Sequence, residues 1–423
     1  MSCQSHNATA PCPAIAPGAE DIDARRTAAD LGRRGGIDPR ITATIPGFDA
    51  PFFQAGLAGY SDAAMRIIAR RHGCPMCVTE ALLDRTLLAG GRGFDKADLG
   101  DLHDNVPGGP EDHPLVGQIM GSEPAEMAAA AIKMVEQKTR TERDYRMLAV
   151  EPVGGDEQVH GGSSSDHSAL IAAVISPHCF QAIDVNLACP VKKIERKSRG
   201  GHWLTQPDGA IRILEAVREA VPKEIACTVK MRRGFDDTQE MADNFEKIFA
   251  AAYDIGYAWA TVHARTVQQK YIGPSRWTFL RDLVRRHPDK IIFGSGDVWE
   301  VNDIFRMIAY TGVHAVSVAR GCIGNPWIFR QARQMLAGHS PQLPTIAEQR
   351  GALRTHFDIS LAVTRRFRHG EETTSKMMRK FGIKFAQHHP RGDEIKRRMI
   401  DVNSAQDWHN VINEFYSEEN QHG

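Results

Sequence analysis

The chain has 423 residues, and its 42% apolar and 25% charged side chains are typical of a globular protein with a sizeable core. Its 52 Lys and Arg are balanced by 52 Asp and Glu, so overall charge does not argue for a polyanionic partner. The sequence has no secretory signal pattern and no run of about 20 apolar residues that would span a membrane. We therefore expect a soluble, cytoplasmic protein that has no contact with a membrane.

The cysteines are sparse for a chain of this length and do not have the spacing of a disulfide framework, which indicates a reducing compartment. Cys74 and Cys77 form a CxxC pair, but no second pair follows at the spacing of a zinc finger. Because this pair begins an apolar run, we interpret both residues as core cysteines. We predict no metal site.

Residues 1–45 are rich in Ala, Pro, Gly, Arg and Asp, so we predict a flexible N-terminal leader with at most one short helix. From Pro51 onward, short apolar runs alternate with amphipathic stretches that are typical of helices. Ser122 is predicted to cap one of these helices, at residues 123–137. The predicted strands are residues 52–55, 76–79, 115–119, 182–186, 227–231, 260–263, 291–294 and 315–318.

Eight strands separated by helices predict a parallel sheet, because parallel strands need crossover connections. Eight such units in roughly 290 residues favour an α/β fold, a closed (β/α)8 TIM barrel at residues 46–335. Residues 138–167 are polar, too long for an ordinary barrel connection, and interpreted as a surface insertion. A smaller C-terminal helical domain is predicted at residues 340–418, and residues 352–401 in it hold 12 Lys or Arg against 6 Asp or Glu.

Active sites in β/α barrels are built at the carboxyl ends of the strands. Gly296 and Gly321 follow the last two predicted strands, where backbone N–H groups can approach a phosphate and Arg320 can add charge. Lys230 and His263 also lie at strand ends, as does Gln118. A Lys and a His at one edge of a cofactor would stabilise negative charge that develops there.

Cys189 comes three positions after the fourth predicted strand and precedes a glycine-containing loop with several Lys and Arg residues. An accessible thiol among cations is suited to acid–base chemistry. The same cations are suited to contacts with a phosphate backbone. The loop around Cys189, rather than the cysteine alone, indicates a functional residue.

Together these strand-end segments resemble the tRNA-dihydrouridine synthase family. The family's signature is similar to residues 184–193, DVNLACPVKK, and the other segments follow in the family's order: AGLAGYSD, QIMGSEP, TVKMRRGFDD, TVHART, GSGD and VARGCIGNPWIF. The similarity extends over residues 51–329 and continues more weakly through MMRK and IKRR in the tail.

The resemblance implies an FMN-dependent enzyme that reduces a specific uridine in tRNA to 5,6-dihydrouridine with NADPH. In such an enzyme a hydride passes from flavin N5 to uridine C6, and Cys189 delivers a proton to C5. The implied flavin contacts are Gly56, Leu57 and Ala58 along the ring, Gln118, Lys230 and His263 at its polar edge, and Ser295, Gly296, Asp297, Ala319 and Arg320 at the ribityl phosphate.

The target uridine must leave the RNA stack to meet the flavin, so a basic surface has to hold the folded tRNA around it. The candidate residues for this surface are Lys192, Lys193, Arg265, Lys270, Arg379, Lys380, Arg397 and Arg398. No protein partner is implied, and we expect a monomer.

Some positions depart from the family's pattern. Gly56, Ala264 and Ser295 stand where Pro, Gly and Asn are usual. His202 and Trp203 stand where the loop after Cys189 usually has small apolar residues. The departures in this loop bear on the choice of substrate more than on the reaction.

Two other functions remain open on the residues alone. One is a flavin barrel that reduces a small molecule, similar to dihydroorotate dehydrogenase, which would not need the basic helical tail. The other is a non-catalytic RNA-binding protein that has kept the barrel. The combined presence of Cys189, Lys230 and His263 argues against this second alternative.

Overall fold

The computed structural model describes residues 18–89, 110–137, 180–191, 199–364 and 370–417. The strands within them are β1 (Phe52–Gln54), β2 (Cys77–Val78), β3 (Leu82–Leu83), β4 (Leu115–Met120), β5 (Ala182–Leu187), β6 (Ala226–Arg232), β7 (Trp259–His263), β8 (Ile292–Ser295) and β9 (Ala315–Val318). The α-helices are α1 (Ala24–Arg33), α2 (Pro39–Thr44), α3 (Ala63–Arg71), α4 (Asp84–Leu88), α5 (Pro124–Val135), α6 (Pro207–Ala220), α7 (Gln239–Ile255), α8 (Trp277–Arg286), α9 (Val301–Thr311), α10 (Trp327–Leu336), α11 (Ile346–Thr364), α12 (Gly370–Phe385), α13 (Gly392–Ile400) and α14 (Ala405–Phe415).

Eight of these strands form a closed parallel barrel. Hydrogen bonding runs in the order β2-β1-β9-β8-β7-β6-β5-β4, and pairing of β2 with β4 closes the ring. The short strand β3 is a ninth strand that pairs with the carboxyl end of β4, where Leu82 lies opposite Ile119. The strands are buried because helices cover the outside of the barrel, and such strands have short continuous apolar runs. The predicted TIM barrel is confirmed, and every predicted strand overlaps an observed one.

The N-terminal segment differs from the predicted flexible leader in the part that the structure describes. Residues 18–45 contain the two helices α1 and α2, whose Asp23 and Asp38 side chains cap the first turns. Ile41, Ile45 and Phe48 are fully buried against the amino-terminal ends of the strands. Helix α2 and the residues after it therefore close the bottom of the barrel, and the two isoleucines, four residues apart, are the signal for this packing.

Helix α5 begins at Pro124, and its N-cap residue is Glu123, so the predicted cap at Ser122 is wrong. Glu123 makes no side-chain cap hydrogen bond. Pro124 has no N–H in the first turn, which removes one of the donors that a cap would satisfy. The Ser122 hydroxyl instead accepts a hydrogen bond from Nε of Arg199 at 3.1 Å.

Helices α11–α14 form the predicted helical region after the barrel. Ile359 of α11 packs against apolar residues of α3, and Phe381 of α12 meets the ring of Tyr60 edge-on at 5.6 Å. The Lys380 ammonium donates a hydrogen bond to the carbonyl of Gly59, in the loop after β1. These contacts bring the helical tail to the same end of the barrel as the carboxyl ends of the strands. None of the helices described is long and apolar enough to span a membrane.

Cys74 and Cys77 lie in the barrel core. Both side chains are buried, and their sulfur atoms are 3.8 Å apart. The Cys74 thiol donates a hydrogen bond to the carbonyl of Met76 at 3.1 Å. Their interpretation as core cysteines is confirmed.

Candidate active site

A cleft opens at the carboxyl ends of the barrel strands. This is the end at which active sites of β/α barrels are assembled. The predicted catalytic and cofactor-binding residues all line it: Cys189, Gly56, Leu57, Ala58, Gln118, Lys230, His263, Ser295, Gly296, Asp297, Ala319 and Arg320. The structure thus brings together residues that are spread over more than 260 positions of the chain.

A hydrogen-bonded network fixes the floor of the cleft. Nε2 of Gln118 donates to Oδ2 of Asp184 at 2.8 Å, and Nδ2 of Asn186 donates to Oε1 of Gln118 at 2.7 Å. The Thr228 hydroxyl donates to Oδ1 of Asp184 at 2.6 Å. Burial raises the pKa of Asp184. Because both ends of the Gln118 amide are committed, its orientation is set before any ligand arrives.

Lys230 lies above this network on β6. Burial lowers its pKa to about 8, although the nearby carboxylate of Asp184 acts in the opposite direction. A lysine in this state is cationic at neutral pH but easily deprotonated. It can hold negative charge at the edge of a ligand in the cleft.

His263 at the end of β7 is a neutral imidazole. Burial lowers its pKa well below the usual range, and the positive charges of Arg232 and Lys230 act in the same direction. Nη1 of Arg265 lies 3.3 Å from Nε2 of His263. Since a guanidinium has only donors, this contact assigns the proton of the ring to Nδ1.

The loop after β8 forms a backbone cradle. Gly296 has φ 110° and Asp297 has φ 56°, so two successive residues have left-handed conformations. A Cβ at Gly296 would lie 2.4 Å from Oγ of Ser275, and a Cβ at Gly321 would lie 2.4 Å from the carbonyl of Val298. Only glycine fits at these two positions, because the protein packs closely around both. Gly296 also lines the cleft, at a strand end where β/α barrels frequently bind a phosphate.

Arg265 does not belong to an RNA-binding surface, which corrects its predicted role. Its side chain is 3% exposed and its Nη2 lies 2.7 Å from both carboxylate oxygens of Asp297. The same carboxylate accepts a hydrogen bond from the backbone N–H of Ser275 at 2.6 Å. This ion pair holds the loop after β8 in position. Asp297 therefore contributes its backbone to the cradle, and Arg265 stabilises the Asp297 side chain.

Cys189 lies just beyond β5, half-buried in the wall of the cleft. Burial raises the pKa of its thiol, so the group keeps its proton at neutral pH. Gly200 and Gly201 pack directly against it: a Cβ at Gly200 would lie 2.8 Å from Cβ of Cys189. The N–H of Gly201 donates to the Cys189 carbonyl at 3.1 Å. The cysteine is therefore held in place by Gly200 and Gly201.

A buried ion pair between Arg199 and Asp84 anchors the segment that begins with Arg199 and contains Gly200 and Gly201. Nη2 of Arg199 lies 3.1 Å from Oδ1 of Asp84, and the two side chains are 1% and 0% exposed. Asp84 also accepts hydrogen bonds from the backbone N–H groups of Arg85 at 2.7 Å and Ser122 at 3.1 Å. Trp203 adds a further hydrogen bond to the same region, in which its Nε1 donates to the carbonyl of Gly121 at 3.1 Å.

The remaining RNA-binding candidates have different surroundings. Lys192 and Lys193 lie outside the described residues, as does the predicted insertion at 138–167. Lys270 and the pair Arg397 and Arg398 are exposed, although Arg398 also contacts Glu414 at 2.9 Å. The other two candidates bind within the protein. Arg379 donates hydrogen bonds to the carbonyl of Val402 and to the side chain of Asn403. Lys380 donates one to the carbonyl of Gly59 in the barrel domain.

The cleft also contains residues that were not predicted, among them the polar or aromatic side chains of Arg232, Tyr271 and Trp299. Arg232 follows Lys230 by two positions on β6. Because side chains alternate along a strand, the two residues lie on the same face, and this spacing is a signal by which Arg232 could be predicted. Its Nε donates to the carbonyl of Ala188 at 2.9 Å, next to Cys189. Tyr271 and Trp299 lie in loops, where no periodic pattern indicates which side chains reach the cleft.

Comparison with known proteins identifies similar chains. The family model for dihydrouridine synthase matches residues 157–420. A probable tRNA-dihydrouridine synthase of Treponema pallidum is 28% identical over 367 residues, which cover 85% of this chain and 91% of that protein. A tRNA-dihydrouridine(16) synthase of Cupriavidus necator is 35% identical over 171 residues, 40% of this chain and about half, 51%, of that protein.

Among solved structures, histamine dehydrogenase from Rhizobium sp. 4-9 is similar with a TM-score of 0.43 and 14% identity. This similarity covers 73% of the present chain and 49% of the dehydrogenase chain. At this level of similarity the match carries no functional argument. The family model and the site geometry are the observations on which function is argued.

Proposed function

This chain belongs to the dihydrouridine synthase family, and on that basis we propose that it reduces a uridine of tRNA to 5,6-dihydrouridine, with FMN as cofactor and NADPH as reductant. The observation that carries the proposal is the cleft itself. It combines a protonated, half-buried thiol at Cys189 with the cationic Lys230 and a glycine cradle at Gly296. In the reduction of a carbon–carbon double bond next to a carbonyl, the thiol can donate the proton and the cation can stabilise the negative charge that develops.

The cleft residues fit a flavin mononucleotide. The cradle at Gly296 and Asp297, with Ser295, Ala319 and Arg320 around it, is suited to the phosphate. The committed amide of Gln118, with Lys230 and neutral His263, is suited to the polar edge of the ring. Gly56, Leu57 and Ala58 offer backbone and apolar side chains to its face. When bound, the flavin supplies the hydride.

Cys189 is proposed to donate the proton to C5 of the uridine. Its raised pKa keeps the thiol protonated at neutral pH, which is the state a general acid needs. Gly200 and Gly201 hold the thiol against the cleft, so the donor does not have to be ordered at the moment of reaction. Arg232, which contacts the loop beside Cys189, provides positive charge near the site where negative charge develops.

The tRNA is proposed to lie across the cleft and the helical tail. Lys192, Lys193, Lys270, Arg397 and Arg398 remain candidates for contacts with its phosphates. Lys380 connects the tail to the loop after β1, so the basic helices sit beside the cleft mouth. Three predicted residues are left out of this set: Arg265 because it is buried, and Arg379 and Lys380 because they bind within the protein.

Three measurements test the proposal. The purified protein, or protein reconstituted with FMN, is expected to show flavin absorption bands and to oxidise NADPH. Incubation with unmodified tRNA is expected to produce dihydrouridine, which sequencing of the tRNA locates. A protein that binds no flavin would favour the non-catalytic alternative. Reduction of a free pyrimidine, with none of tRNA, would favour the small-molecule reductase.

The affinity of the flavin-free protein for FMN is expected to fall as the pH rises through about 8. The lowered pKa of Lys230 places the loss of its ammonium there, and the ligand edge that it faces is electron-rich. Equilibrium dialysis of FMN across this pH range measures the effect. Lys230→Met should bind FMN more weakly without the pH step, while Lys230→Arg should stay cationic and lose the step with less loss of affinity. A step that persists in Lys230→Met would assign it to another group.

A further inference from the structure

Four side chains at the mouth of the cleft alternate between cation and aromatic ring; we name Arg232, Tyr271, Arg320 and Trp299 the cation–aromatic column. The guanidinium carbon of Arg320 lies 4.3 Å from the ring centre of Trp299 and 4.9 Å from that of Tyr271. The guanidinium of Arg232 lies 5.6 Å from the Tyr271 ring. All four residues line the cleft, and they come from the ends of four different strands or the loops after them.

The two aromatic rings of the column remain accessible. Tyr271 is 56% exposed and Trp299 is 39% exposed. The other five tryptophans of the chain, all in the described residues, are at most 7% exposed. A protein that buries every other tryptophan leaves this one at the edge of its cleft, which indicates a surface that is covered only when a ligand binds.

The backbone before each ring is strained. Among the described residues, the non-glycine residues with positive φ are Lys270 at 51° and Asp297 at 56°. Lys270 directly precedes Tyr271, and Asp297 precedes Trp299 by two positions. Such conformations cost free energy and persist where the surrounding structure enforces them, commonly at ligand clamps. Both strained residues therefore lie within two positions of an aromatic ring of the column.

The loop that carries Tyr271 is held rigidly although its side chains are exposed. Nη1 of Arg232 donates to the carbonyls of Thr266 at 2.7 Å and Lys270 at 2.8 Å. Nε2 of Gln269 donates to the carbonyls of Ile272 and Pro274, each at 3.0 Å. The ring is therefore presented on an ordered backbone, which reduces the entropy lost when a ligand stacks on it.

We propose that the cation–aromatic column is a stacking platform for an unpaired nucleobase of the tRNA, adjacent to the uridine that enters the cleft. The proposal rests on the function proposed above. Extraction of a base from folded RNA unstacks its neighbour, whose exposed face then needs a new partner. Aromatic rings and guanidinium planes are the partners that proteins offer to such bases. The alternating positive charges suit a polyanion and would repel a basic protein partner.

The test measures binding of unmodified tRNA to the full-length, flavin-loaded protein without NADPH and in a Cys189→Ala background, so that no reductant is present and any residual turnover is slow. Trp299→Ala and Tyr271→Ala are each expected to weaken binding about tenfold, the size of one lost base–aromatic stack. Trp299→Phe and Tyr271→Phe keep a ring and should lose far less. Leu343→Ala serves as the matched control, because Leu343 is also an exposed apolar residue, at 80%, but does not line the cleft.

Tryptophan fluorescence gives a readout that does not depend on activity. Because Trp299 is the exposed tryptophan, acrylamide should quench a component of the emission that Trp299→Phe lacks, and tRNA should protect that component. No protection by tRNA, or equal affinity of Trp299→Ala and its parent, would overturn the proposal.

Two further results would also overturn it, since each assigns the column to another ligand. One is the loss of bound flavin from Trp299→Ala. The other is a raised KM for NADPH with unchanged tRNA affinity. Failure of the proposed function itself is distinguishable, because the wild-type protein would then form no dihydrouridine in tRNA at all.

Discussion

Replacing Cys189 with alanine is expected to lower the rate of dihydrouridine formation by about 10² to 10⁴-fold, the usual contribution of a positioned general acid. The thiol is half-buried, protonated and held by Gly200 and Gly201, so the variant removes a donor that is already in place. Flavin content and tRNA affinity should remain close to those of the wild type, because the described contacts of the cradle and of the polar edge do not involve this side chain. The measurement is the single-turnover rate of dihydrouridine formation.

Cys189→Ser provides the matched control. A serine hydroxyl is nearly isosteric but a much weaker acid, so we expect a rate between those of wild type and alanine variant. The pH dependence gives a second check. Burial raises the pKa of the Cys189 thiol above its usual range, so the donor stays protonated through neutral pH and is lost only as the pH rises through that raised value. A wild-type rate in Cys189→Ala, or a rate that increases on the alkaline side in the wild type, would remove Cys189 from the role of acid.

The barrel and the strand-end residues could be predicted because each depends on local sequence. Short buried runs bounded by helices identify the strands, and the residue that follows a run identifies a position at the mouth of the barrel. Lys230, His263 and Gly296 were found in this way. The same argument does not give the state of a side chain: Arg265 also follows a strand, yet it is buried against Asp297 rather than exposed to RNA.

Features that depend on distant pairs could not be predicted. Arg199 and Asp84 are 115 positions apart, and neither has a neighbour in sequence that indicates an ion pair. The cation–aromatic column likewise requires loops from four strand ends to meet. In the N-terminal segment a composition typical of flexible chains hides two helices. The buried residues of α1 are two alanines, and the isoleucines that bury α2 are few and separated by polar residues.

Removal of the Asp84 carboxylate is expected to cost about 3–5 kcal/mol of stability, the typical penalty for leaving one member of a buried ion pair without its partner. In Asp84→Ala the buried guanidinium of Arg199 loses its counter-ion, and the backbone N–H groups of Arg85 and Ser122 lose an acceptor. Urea unfolding and the thermal midpoint measure the loss. Asp208→Ala is the control, because the Asp208–Lys247 pair is exposed and its removal should leave the midpoint unchanged.

The double variant Asp84→Ala with Arg199→Met separates the charge from the packing. Because it removes both charges, it should recover most of the stability that Asp84→Ala loses, as expected for a coupled pair. Its catalytic rate should not recover, since Arg199 also ties Ser122 to the segment that packs Gly200 and Gly201 against Cys189. Stability restored together with full dihydrouridine formation would mean that the ion pair only supports the fold. Stability restored without activity would show that this buried ion pair sets the position of the proton donor.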